Sequence, residues 1–231
     1  MSTKNEIFDY VMDSPQDTNP AVLKSLLNDL EGGGGGGGGE TLTGLIEGTV
    51  KEVTDEDVTT IRDYAFCKCE DLETAILPNA TTVGTSAFQS CKKLKVVDLS
   101  NVTTANTSVF AGCIALEEIS LPKLGAVSTA MFSGSTSLKV VDLGAATVVG
   151  VSSLSSCSSL DTIVLRSNTL CELEYGSTST LSGTCFDSEG SGGTLYVPQA
   201  LIDSYEAATG WSTIIGYTNN QILPIEGSQY E

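Results

Sequence analysis

The sequence predicts a parallel-strand solenoid with an accessory segment at each end, and three observations carry that expectation. A repeat of twenty-two residues returns in register at Leu72, Leu94, Leu116, Leu138 and Leu160. From each of these leucines runs a six-residue pattern, LETAIL, LKVVDL, LEEISL, LKVVDL and LDTIVL, with apolar residues in the first, fourth and sixth places. On the return half of each repeat stands a second column, Phe66, Phe88, Phe110, Phe132 and Leu154. It is preceded by Ala65, Ala87, Val109, Met131 and Ser153 and followed by Cys69, Cys91, Cys113, Ser135 and Cys157. One coil cannot bury such anchors alone, so coils must stack, with their strands about 4.8 Å apart.

Residues 1–31 carry two helical signals. Ile7, Phe8 and Val11 form a short apolar face before Pro15; Asn19 as cap and Pro20 at the first helical position then open a helix whose Val22, Leu23, Leu26, Leu27 and Leu30 share one side. Two readings stand: a helical hairpin that packs on itself, or a peg that anchors or oligomerises, since so short a segment buries little surface alone. Residues 32–39 are an unbroken glycine run, expected to act as a flexible tether about 15 Å from end to end. A phosphate-binding loop would need a lysine and Ser/Thr after spaced glycines, and Glu40 follows instead.

Residues 40–60 are expected to form a strand pair or an irregular first coil that covers the open end of the core. The array itself spans 61–193, irregular in its last part. Ser135, Leu154 and the Ser-rich fifth coil depart from the columns and are expected to weaken packing there. In the C-terminal cap, 194–231, Thr194 to Val197 should add a strand, Pro198 should break it, and Gln199 to Ala208 should form a helix. Leu201, Tyr205 and Trp211 should then close the core.

The strings DYAFCKCEDL, TSAFQSCKKL and SVFAGCIAL, each followed by a strand pattern and twice by proline (Pro78, Pro122), resemble the BspA-type leucine-rich repeats of bacterial surface and phage-associated proteins. The resemblance covers about residues 45–170. It implies a leucine-rich repeat solenoid of α/β type, with a short parallel β-sheet and irregular or short helical return segments. The run IVLRSNTLCEL with TLYVPQALIDSYEAATGWS is similar to a terminal cap found on such arrays in gut bacteria, and residues 1–31 resemble the start of various phage structural proteins. The resemblance implies a non-enzymatic binding or display scaffold: a phage- or prophage-encoded accessory or receptor-binding protein, or alternatively a bacterial surface adhesin module. Its partner would be a protein or a glycan on a cell surface, with homo-oligomer or virion assembly through residues 1–30.

The formal net charge is −18, and no Lys or Arg follows Arg166, so nucleic acid is excluded as a natural partner, because neutralising phosphates requires basic clusters. Residues 1–30 show no basic stretch leading into an apolar one, and no run reaches membrane-spanning length. The expectation is cytoplasmic synthesis without membrane insertion, with association to a virion or display by a route the sequence does not reveal.

With no histidine, the chain lacks the commonest general base, metal ligand and triad member, so no catalytic residue, metal or cofactor is expected. The cysteine column follows the repeat period rather than C-x-x-C spacing and reads as buried thiols ahead of disulfides or a metal site. Cys67, Cys171 and Cys185 fall outside it. An outward column Glu73, Lys95, Glu117, Lys139, Asp161 alternates in charge and should fix register.

Two further outward columns are the candidate binding face: Thr74, Val96, Glu118, Val140 and Thr162, and beside them Ile76, Asp98, Ser120, Asp142 and Val164. They make either a partner-binding strip or a merely solvated sheet face. Asp98 and Asp142, two strands apart, are expected about 9.6 Å from each other, near the carboxylate separation of inverting glycosidases. Any two residues two coils apart share that spacing and no aromatic sugar platform accompanies them, so a solenoid glycosidase is the weakest of the readings.

Overall fold

The six-residue pattern alternates inward and outward positions, and that alternation sets the strands. In the computed structural model, which describes residues 50–174, 186, 192–208, 210–212 and 220–231, six short strands recur at the repeat spacing. They are β1 (Glu52–Thr54), β3 (Thr74–Ile76), β5 (Val96–Asp98), β7 (Glu118–Ser120), β8 (Val140–Asp142) and β10 (Thr162–Val164). Every pairing among them is parallel and in register: Ala75 lies between Val53 and Val97, and Val141 between Ile119 and Ile163. The central residue of each strand turns inward; all are buried except Val97, which is half-buried. The helical signals in 1–31, the tether at 32–39 and residues 40–49 lie outside the described residues.

The return half carries its own short parallel ladders. β2 (Thr60–Ile61), β4 (Thr82–Val83) and β6 (Thr104–Ala105) form one, and β9 (Val148–Val149) and β11 (Glu172–Leu173) another. Ile61, Val83, Ala105, Val149 and Leu173 bury one side while the threonines stay outward, a pattern only two residues long. The first coil is thus an ordinary member of the array: β1 pairs with β3 and β2 with β4, not with each other.

Around each phenylalanine of the column, and around Leu154, the chain makes a tight turn with two residues in the left-handed region. Tyr64, Ser86, Ser108, Ala130 and Ser152 hold the first place at φ of 53 to 60°, and Lys68, Ser90, Gly112, Gly134 and Ser156 the second at 59 to 74°. This conformation points successive amides at the next coil: Phe66, Phe88, Phe110 and Phe132 N–H donate to the carbonyls of Ala87, Val109, Met131 and Ser153 at 2.7 to 2.9 Å. The four rings consequently stack, with centroids 5.0, 5.4 and 5.6 Å apart, and Leu154 continues the buried column. Gly84 is required where coils touch, because a Cβ there would lie 2.3 Å from the Asp63 backbone nitrogen.

The cysteine column is buried and reduced. Cys91, Cys113 and Cys157 Sγ each donate to a carbonyl of the preceding coil, Phe66, Phe88 and Phe132, at 3.1 Å. Ser135 does the same to Phe110 at 2.8 Å, so the expected weakening at Ser135 is corrected: its hydroxyl takes the bond that a thiol makes elsewhere, with better geometry. The fifth coil does hold a misfit, the buried Ser153 hydroxyl, which finds no partner among the described residues.

At the C-terminal end the strand at Thr194–Val197 forms as expected, as β12, and pairs with β10. After Pro198 a 3-10 turn, Gln199–Leu201, leads into the helix α1 (Ile202–Ala207). Tyr205 and Trp211 are buried in a T-shaped pair with centroids 5.7 Å apart, and both fasten Cys171: the Tyr205 hydroxyl accepts from its N–H at 2.9 Å, and Trp211 Nε1–H donates to its carbonyl at 2.6 Å. Leu201 is only partly buried against this core. A last strand, β13 (Gln221–Pro224), adds in parallel to β12 and was not foreseen. Its pattern QILP has no leucine-repeat spacing and ends on a proline.

Candidate interaction face

The outward side chains of the strands form the two columns that the pattern predicts, but the ladder that carries them is interrupted. The sheet orders are β1-β3-β5 and β13-β12-β10-β8-β7, so Thr74, Ile76, Val96 and Asp98 stand on one sheet and Glu118, Ser120, Val140, Asp142, Thr162 and Val164 on another. Val96 (51% exposed), Glu118 and Ser120 are exposed; Thr74, Ile76, Asp98, Val140 and Thr162 are half-buried.

Asp142 and Val164 do not belong to an open face, which corrects the expectation for both. Asp142 is 7% exposed, and its carboxylate accepts from Arg166 Nε at 3.0 Å, from Ser120 Oγ at 3.1 Å and from Gly144 N–H at 3.0 Å. Arg166 reaches it because its own N–H is pinned to the Gly144 carbonyl at 2.7 Å. With both oxygens engaged and the side chain covered, Asp142 is not an open carboxylate facing a substrate, which removes the geometric basis for pairing it with Asp98 in glycoside hydrolysis. Val164 is fully buried because the cap continues the sheet beyond it. Its register partner there is Tyr196, whose ring packs against Tyr230 at 4.9 Å. Sequence reasoning missed this because the covering residues lie more than thirty positions downstream in a region without the repeat.

The alternating charge column is realised in part. Lys139 Nζ stands 2.6 Å from Glu117, and that hydrogen bond holds the carboxyl below its ordinary range and the ammonium above. Two parallel pairs sit two coils earlier, Lys92 with Glu70 and Lys93 with Asp71, each at 2.6 Å. Lys95 makes no ion pair among the described residues. Burial pushes the Cys113, Cys157 and Cys171 thiols up to about 12 and Cys69 to about 11, so they stay protonated and unreactive. Among the described residues no group of three or more His, Cys, Asp or Glu is placed to hold a metal, and no helix is long and apolar enough to cross a membrane.

A family model of the BspA type leucine rich repeat region, in six copies, matches residues 59–180. The chain belongs to this family. As a BspA-type repeat protein it shares its fold with solved bacterial structures. Over 76% of its length it is similar to the pneumococcal vaccine antigen PcpA, at 17% identity, a TM-score of 0.50 and 41% coverage of that chain. A leucine-rich repeat protein of T. pallidum shows 18% identity and a TM-score of 0.46, covering 71% of this chain and 79% of its own. A leucine-rich cell surface protein of Faecalibacterium prausnitzii shows 26% identity and a TM-score of 0.42 over 49% of this chain. The BspA-type chain spans 38% of that protein's length. No curated protein matches it.

Proposed function

We propose that this BspA-type repeat protein is a non-catalytic recognition and display module. It engages a protein or glycan on a cell surface through the outward strand face of its first four coils, while residues 1–31 fasten it to a larger assembly across the glycine tether. The observation that carries the reading is the face itself. Two parallel ladders, one carrying Thr74, Ile76, Val96 and Asp98 and the next Glu118 and Ser120, present a mixed apolar and acidic surface, and the C-terminal end of the second is closed by the cap. Such preorganised strips suit partner binding, because little side-chain or backbone freedom is lost on association.

Labelled full-length protein applied to a panel of intact bacterial cells tests this. Saturable, strain-restricted binding that Val96→Glu together with Glu118→Lys lowers at least tenfold supports it; equal binding by that variant sinks the assignment of the face. The assembly role and its virion setting rest on the sequence resemblance of residues 1–31. Deletion of residues 1–39 should abolish incorporation into particles while the array stays folded. The second reading, a bacterial surface module, uses the same face and differs in where the protein is found, which fractionation of the producing cells decides.

A further inference from the structure

At every other junction of the repeats the residue before a strand donates across to the preceding coil. Lys95 and Val96 N–H bond the Glu73 carbonyl at 2.9 and 3.1 Å, and Lys139 and Val140 N–H bond that of Glu117 at 2.7 and 3.3 Å. The residue after a strand donates forward, Leu77 N–H to Asp98 and Leu121 N–H to Asp142, both at 2.9 Å. Between coils three and four none of these bonds forms among the described residues. Glu117, Glu118 and Leu99 N–H find no carbonyl, and those of Lys95 and Ser120 receive no amide. Most Cα pairs between β5 and β7 lie more than 8 Å apart, whereas paired strands stand about 4.8 Å apart and a strand inserted between two others needs about 9.6 Å.

The opening is confined to the strand side. On the turn side the same coils stay joined, with Ser108, Phe110 and Gly112 N–H bonded to Thr129, Met131 and Ser133 at 2.8 to 3.1 Å and Phe110 stacked on Phe132. What results is a wedge-shaped seam in an otherwise closed array. Lys95, Ala115, Glu117 and Glu118 line a cleft there of about 280 Å³. The two exposed large hydrophobic side chains among the described residues, Val96 and Ile114, belong to the same two coils, and Val97 is the one inward strand centre left half-buried. Unpaired backbone edges are ready templates for pairing with another extended chain.

We propose that this seam is a docking site for an extended segment of a partner protein, which enters as an added strand between β5 and β7. This deepens the recognition role proposed above and rests on it. The edges supply the main-chain bonds, as in other strand-addition interactions. Val96 on the β5 edge takes an apolar side chain, and Lys95, which makes no ion pair among the described residues, takes an acidic residue of the incoming segment on the β5 side of the cleft.

The test is hydrogen exchange on the full chain with a synthetic nine-residue probe of the sequence DLETAILPN (residues 71–79), an extended segment with an acid in the column of Lys95. In the free chain the amides of Leu99, Glu117 and Glu118 should exchange at least tenfold faster than that of Val141. The probe should slow those three saturably and leave Val141 unchanged. Lys95→Glu should weaken probe binding about tenfold, and methylation of alternate probe amides should abolish it. Slow exchange at the seam in the free chain, no saturable protection at millimolar probe, or equal binding by the methylated probe would each overturn the proposal. Protection that rises with protein concentration alone would assign the seam to a second copy and overturn it as well. Failure of the probe with intact face-dependent cell binding sinks the seam alone; loss of both sinks the recognition role.

Discussion

Replacing Phe110 by alanine probes the feature on which the two halves of the array depend. Phe110 is fully buried between Phe88 at 5.4 Å and Phe132 at 5.6 Å, so truncation empties a ring-sized volume and removes both stacking contacts. Buried Phe→Ala changes cost about 3–5 kcal/mol, and each stacked pair adds about 0.5–1.5 kcal/mol of specific interaction, which places this site near the upper end, about 4–5 kcal/mol. Phe66 has one ring neighbour at 5.0 Å and lies at the start of the column, so Phe66→Ala should cost about 2–3 kcal/mol. Phe110→Leu reproduces what the fifth coil already has at Leu154 and should cost no more than about 1.5 kcal/mol. Urea denaturation followed by circular dichroism measures all three. Because coils three and four share no strand pairing, the phenylalanine column and its turn bonds are their principal connection. Phe110→Ala should therefore also lower the m-value, as the halves begin to unfold separately. A cost below about 1 kcal/mol, or equal costs at Phe66 and Phe110, would refute the column as the element that couples the coils.

Three further outcomes follow from the same packing. Ser153→Ala removes a buried hydroxyl without a partner and should stabilise the protein by about 1 kcal/mol in the same denaturation assay; destabilisation would mean that the hydroxyl is satisfied. Tyr205→Phe strands the buried Cys171 N–H and should cost about 1–3 kcal/mol, against little change for a substitution at exposed Asp203. Thiols whose ionisation is raised by burial bind their protons more tightly in the folded state. Stability should accordingly be full below about pH 9 and fall as pH rises through the folded values near 11 to 12, by about 1.4 kcal/mol per pH unit for each buried thiol. Thermal unfolding from pH 7 to 11 measures this, and a flat profile would contradict the buried thiol column.

The strand anchors, the phenylalanine and cysteine columns and the strand at Thr194–Val197 were legible because each is written into the local pattern: an apolar residue at a fixed place in a repeat has only one interior to occupy. Ser135 shows the limit of reading columns by residue type. Its role is set by the Phe110 carbonyl it meets one coil away, and a hydroxyl meets it as well as a thiol.

The candidate face divides along the same line. Which side chains point outward followed from the alternation in Thr74 to Ile76 and its equivalents, because successive residues of a strand face opposite ways. Whether an outward residue stays open depended on distant partners: Arg166 and Ser120 close on Asp142, and the cap strand carrying Tyr196 continues the sheet past Val164. The missing pairing between Val96–Asp98 and Glu118–Ser120 is likewise absent from the sequence, where both segments have the same pattern and the same spacing as their neighbours. Local periodicity determines which residues form strands and which way they face; only the stacking of whole coils decides which strands meet, because hydrogen bonds between coils are long-range contacts that no single repeat encodes.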